Sequence, residues 1–145
     1  MDDGYWVAIG GGQVGCELAL LLEKKGKEVT IIEAMFALMS GGKEALFPGN
    51  KQWLEDMLAY KNIRVMLSTQ VSAIGADSVE VVTPLGKETV PADSVVLAIG
   101  YHADDRLYKA LYATVPKKVW LLGDAKIPSN IMFAVKDGAA IGRAL

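Results

Sequence analysis

The chain has 145 residues and a formal net charge of -2. That length suits one domain able to bury roughly two-thirds of its unfolded surface, and scattered basic residues give no footing for nucleic acid. No apolar run is long enough for a membrane span and the opening Met1-Asp2-Asp3 is acidic where a signal peptide would be basic, so a soluble, cytoplasmic protein is expected.

Residues 5–33 read as a short apolar strand, a glycine-rich turn, an amphipathic helix and a second strand ending in an acid. Gly10, Gly12 and Gly15 supply G-x-G-x-x-G, and Glu33 follows the first glycine by about 20 residues, where a dinucleotide site wants a carboxylate for the adenosine ribose. Gly10 lets the chain turn sharply out of the strand, a conformation with little room for a Cβ. Gly12 clears the backbone for a pyrophosphate, and Gly15 lets the helix lie close against the strand. The N–H groups of Gln13 and Val14 open that helix without intrahelical partners, and with the helix dipole they favour a diphosphate. Val14, Leu18, Leu21 and Leu22 are expected to share its buried face, and Gly26 to cap its end. Cys16, the single cysteine, lies inside this helix and reads as a small buried side chain. Alone it makes no intrachain disulfide, redox pair or metal cluster.

Glu33 selects the nucleotide. Its carboxylate can accept from both ribose hydroxyls of NAD, whereas a 2′-phosphate about 4 Å away would cost on the order of 1–4 kcal/mol. Ala34, Met35 and Phe36 follow with no cation, so NAD(H) is expected over NADP(H). The alternative is a Glu33 that merely ends a strand in solvent.

The loop 34–49 carries the breakers Ser40-Gly41-Gly42 and Pro48-Gly49. Asn50 should then cap a helix with Trp53, Leu54, Met57 and Leu58 on one face, and residues 63–67 read as a third parallel strand. Three short strands follow, 71–74, 78–83 and 87–90, split by turn signals, which form an antiparallel meander in place of a crossover helix. A return strand, 94–99, runs into Gly100. His102, the single histidine, has no ligand-spaced partner and receives no role. The last third should hold a helix near 105–112, an apolar strand 119–122, the pair Gly123-Asp124, and a helix from Ile131 capped by Ser129 or Asn130.

Together the stretches VAIGGGQVGCE, the strand ending at Glu33, VVLAIG ending at Gly100 and VWLLGDA ending at Ala125 resemble the pyridine nucleotide–disulfide oxidoreductase superfamily, across nearly the whole chain. The tail IPSNIMFAVKDGAAIGRAL is similar to NADH:flavin oxidoreductases of the 2,4-dienoyl-CoA reductase and 2-enoate reductase type. The fold so implied is α/β: a Rossmann-like dinucleotide-binding domain (residues 1–101) with a parallel sheet and a three-stranded meander, then a strand–helix segment (102–145) returning to an incomplete FAD-binding domain. The resemblance places the acid matching Asp124, with Gly123, near the flavin nucleotide, and the acid matching Glu17 near the nicotinamide carboxamide. The alternatives are an Asp124 that caps the following turn and a Glu17 that is a solvated helix position. Gly100 matches the strand–glycine turn of relatives, while Ala103 stands where they usually have proline.

Three elements of the resembling enzymes are not matched: the first FAD-binding half, the flavin-barrel domain, and the cysteine cluster for iron–sulfur. The expectation is therefore an NAD(H)-binding module of an FAD-dependent oxidoreductase, with FMN and an iron–sulfur cluster upstream in the parent chain. The cofactors carry the chemistry, and no catalytic acid, base or nucleophile is assigned. The expected partners are NADH and the FAD and flavin-barrel domains, with self-association possible through an unpaired 119–122 strand edge. Two rivals are an NAD-sensing regulatory domain, which the meander and Gly123-Asp124 disfavour, and an S-adenosylmethionine methyltransferase, which Gly15 disfavours.

Overall fold

The structure is a computed structural model that describes residues 4–40, 48–116 and 118–145. Met1-Asp2-Asp3 and the Gly41-Gly42 breakers lie outside the described residues. The chain divides into two compact units, Met1–Ile99 and Gly100–Leu145.

The first unit runs β1 (Tyr5–Ile9), α1 (Gln13–Lys24), β2 (Glu28–Ile32), α2 (Pro48–Ala59), β3 (Ile63–Met66), β4 (Gln70–Ile74), β5 (Ser78–Thr83), β6 (Gly86–Pro91) and β7 (Ser94–Leu97). Four strands form a parallel sheet in the order β3-β2-β1-β7, and β4-β5-β6 form a separate antiparallel sheet. In register, Val7 of β1 lies opposite Thr30 of β2 and Val95 of β7. Ala98 adds one more bond beyond β7, its N–H donating to the Ile9 carbonyl at 2.7 Å.

Alternation along the strands divides the core in two. Ala8, Val29 and Ile31 face the helices, where they meet Cys16, Ala19 and Leu22 of α1 and Leu54 and Leu58 of α2. Val7, Ile32 and Met66 face the other way, onto Val79, Val81 and Val90 of the meander and Ala92. The meander thus covers the sheet face that a crossover helix would cover, as the turn signals imply. Beyond the end of α1 the chain turns through Gly26 with φ 78°, and the Lys27 N–H donates back to the Leu22 carbonyl at 3.1 Å.

Three expectations are corrected within this unit. The buried face of α1 is Gly15, Cys16, Ala19 and Leu22, while Val14 and Leu21 are half exposed. Gly15 draws the helix so near the sheet that its smallest residues, not its largest, must face inward. Trp53 is likewise exposed, because α2 seats only the Leu54–Leu58 pair on the core. Finally, α2 begins at Pro48, so Pro48-Gly49 open the helix and Asn50 lies inside it. Proline suits the first helical position because that N–H would lack an intrahelical partner.

The second unit holds α3 (Arg106–Thr114), a 3-10 turn (Gly123–Ala125) and α4 (Ile131–Ala144). Asn130 caps α4, its side chain accepting the Phe133 N–H at 3.2 Å. The strand expected at residues 119–122 does not form: no ladder partner lies beside it among the described residues, and Trp120 and Leu122 stay partly exposed. Extended apolar chain becomes sheet only when a neighbouring strand takes its N–H and C=O groups.

Candidate nucleotide-binding site

Parallel strands deliver their C-terminal ends to one side of the sheet, and the residues that follow β1 and β2 meet there. At Gly10 φ is 107°, and the Gly10 N–H donates to the Ile32 carbonyl at 2.8 Å, which ties the turn to the end of β2. A Cβ at Gly10 would strike the Ala98 carbonyl, and one at Gly15 would strike the Gly10 carbonyl. These two glycines are therefore fixed by backbone-on-backbone packing.

Gly12 differs. It is the N-cap of α1, with φ -72° and ψ -177°, and a Cβ there would find no atom within 4 Å. The space above the turn is open at the one motif position where a ligand must reach the backbone. Among the described residues no side chain caps the start of the helix, so its first-turn N–H groups keep their donors for a ligand.

Glu33 sits directly after β2, half buried, and its two oxygens are oriented by backbone. Oε2 accepts the Gly11 N–H at 2.6 Å and Oε1 accepts the Met35 N–H at 2.7 Å. Each oxygen keeps a second lone pair for a hydroxyl donor. An open glycine turn at a helix start beside an oriented carboxylate fits a diphosphate joined to a ribose.

Gln13 and Glu17 are exposed on α1 and bond each other, Gln13 Nε2 donating to Glu17 Oε1 at 2.7 Å. Val14 is exposed beside them. Cys16 is fully buried. Its thiol donates to the Gly11 carbonyl at 3.5 Å, and burial, aided by the Glu33, Glu55 and Glu17 carboxylates, pushes its pKa up to about 11.

Sequence reasoning missed the middle glycine and the loop behind it. The Gly11 carbonyl accepts the Met39 N–H at 2.8 Å, and a Cβ on Gly11 would press on Leu38 and Glu33. The run of three glycines was the available signal, since the motif uses only its outer two.

The remaining candidates lie in the second unit. Gly100 has φ 93° with open space around it. Gly123 has φ 58° and packs toward Ala134 of α4. Asp124 Oδ1 accepts the Ser129 N–H at 3.1 Å, so it braces the turn into α4. An open cavity of about 530 Å³ lies there, lined by Asp124, Ser129, Asn130, Ile131, Met132 and Ala134. Among the described residues no helix is long and apolar enough to cross a membrane, and no cluster of three metal-ligating side chains occurs.

Residues 5–138 match the family described as pyridine nucleotide-disulphide oxidoreductase. The chain is 38% identical over 130 residues to cinnamate reductase of Clostridium sporogenes, covering 89% of this chain and 19% of that protein. It is 32% identical over 135 residues to NADH oxidase of Streptococcus pneumoniae, covering 92% of this chain and 28% of that one. Among solved structures, 2-naphthoyl-CoA reductase superposes with a TM-score of 0.85 at 29% identity, over 98% of this chain and 21% of its own. The chain therefore spans 19–28% of the length of these three relatives.

Proposed function

The chain belongs to the pyridine nucleotide-disulphide oxidoreductase family, and from that premise we propose that residues 1–101 are the NADH-binding module of an FAD-dependent oxidoreductase. Residues 102–145 are then the segment that returns to its FAD domain. The observation that carries this reading is the open face over Gly12 beside the backbone-oriented carboxylate of Glu33.

When bound, NADH supplies a hydride and FAD accepts it. The chain's own residues bind and orient. The amides of Gly12, Gln13 and Val14 face the diphosphate, and the Glu33 oxygens accept from the two ribose hydroxyls. A 2′-phosphate would meet the same carboxylate with like charge, so NADPH binds less well. Glu17, one turn into α1, takes the nicotinamide carboxamide in this reading. Asp124 and Gly123 serve the flavin nucleotide at the cavity before α4.

The names of two relatives, cinnamate reductase and 2-naphthoyl-CoA reductase, support a parent enzyme that reduces a conjugated organic acid or its thioester. In that reading FMN and an iron–sulfur cluster lie upstream in the parent chain, and the FAD and flavin-barrel domains are its covalent partners.

Titration of the chain with NADH and NADPH, for the wild type and Glu33→Ala, tests the module. Saturable binding that favours NADH, with the preference lost in Glu33→Ala, is expected. Tighter NADPH binding by the wild type overturns the choice of nucleotide, and saturation by neither overturns the module.

A further inference from the structure

The Gly11 carbonyl is held from two sides, by the Met39 N–H at 2.8 Å and by the buried Cys16 thiol at 3.5 Å. A trans peptide is planar, with its C=O and N–H pointing in opposite directions, and among the described residues no peptide bond is cis. Whatever fixes the Gly11 carbonyl therefore also fixes the Gly12 N–H, which belongs to the same peptide. With the carbonyl turned inward onto Cys16 and Met39, the Gly12 N–H is turned outward, toward the side where a Gly12 Cβ would meet nothing.

Met39 holds its part of this arrangement in a conformation that L-residues rarely adopt, with φ 50°. Such a position persists only where the surroundings over-determine it. Here Met39 packs against the helix-side core and its neighbour Leu38 lies against Gly11.

We infer that Cys16 and Met39 are positioning residues, which lock the Gly11–Gly12 peptide so that the Gly12 N–H is aimed at a bound diphosphate before the ligand arrives. The inference rests on the dinucleotide reading and assigns a role to a thiol that is otherwise only core. Neither residue touches the ligand. Each acts through the orientation of one peptide plane.

The test uses ADP and adenosine, which differ by the diphosphate, on the 145-residue chain. The wild type is expected to bind ADP more tightly than adenosine. Cys16→Ala should narrow that ratio by roughly threefold, as loss of one weak hydrogen bond implies. Cys16→Ser, which retains a donor, should restore most of it, and adenosine affinity should stay the same in all three. In the wild type, the Gly12 amide proton should move downfield on saturation with ADP and not with adenosine. That downfield shift should shrink in Cys16→Ala, and if that variant fails to fold, Cys16→Val, which also removes the donor, takes its place in both measurements. An unchanged ADP-to-adenosine ratio in folded Cys16→Ala, or a Gly12 shift common to both ligands, overturns the positioning role and leaves the nucleotide reading standing. A wild type that binds neither ligand overturns the nucleotide reading, and the positioning role with it.

Discussion

The Glu33 carboxylate accepts the Gly11 amide at 2.6 Å although 22 positions separate the two residues. The acid therefore has a task within the protein itself, since it clamps the glycine turn to the end of β2. Glu33→Ala should lose about 1.5–3 kcal/mol of stability in denaturant unfolding, the usual contribution of hydrogen bonds to a charged group. Glu33→Gln keeps an acceptor oxygen, so it should recover much of that stability while still discriminating poorly between NADH and NADPH. Equal stability of wild type and Glu33→Ala would show that the clamp carries no load.

Gly12→Ala and Gly15→Ala should part company. A methyl at Gly12 meets no protein atom within 4 Å, so the thermal midpoint should be nearly unchanged while NADH affinity falls at least about tenfold, or roughly 1.4 kcal/mol. A methyl at Gly15 collides with the Gly10 carbonyl. Overpacking of that kind costs about 1–3 kcal/mol, so Gly15→Ala should lower the midpoint whether or not ligand is present. Thermal scans with and without NADH separate the two.

Alkaline titration should expose Cys16. Its folded pKa is raised to about 11 from an ordinary value near 9, chiefly by burial. Below pH 9 folded and unfolded chains both hold the thiol proton, and the full contribution to stability is present. From there up through pH 11 the unfolded chain releases that proton first, so stability falls as pH rises. Cys16→Ala should remove this part of the slope between pH 9 and 11. Parallel urea melts across that window would read the difference, and identical slopes would contradict it.

Asn130→Ala should weaken the start of α4 by about 1 kcal/mol, since its side chain accepts the Phe133 N–H. Asn130→Asp or Asn130→Ser should preserve the helix. Amide exchange at Phe133 is the direct measurement, with faster exchange expected only in the alanine variant.

The order of elements in the first unit was legible because each carries its own local signature. Short apolar runs marked β1, β2 and β3, and turn signals such as Pro84-Leu85-Gly86 marked the meander. The tight turn at the outer glycines and the position of Glu33 just after β2 were legible for the same reason, through spacing alone. What escaped depends on partners distant in sequence. Periodicity does not show that a close helix–sheet approach will favour Cys16 and Ala19 over Val14 and Leu21 as the inward face. Nor does it show that Met39 will return to Gly11, because backbone bonds leave no trace in side-chain pattern. The segment 119–122 has the composition of a buried strand, yet pairing is a property of two segments, and no second one stands beside it among the described residues.

The middle strands β1 and β2 are roofed on one side by α1 and α2 and floored on the other by the meander. Water has no route to their amides short of peeling away a whole layer. Ala8 and Ile31 should hence exchange only when the entire unit opens, among the slowest amides in the protein. The glycine turn and Glu33 hang from the ends of those two strands and inherit their stillness, so a nucleotide arriving there would spend little of its binding energy on ordering the protein.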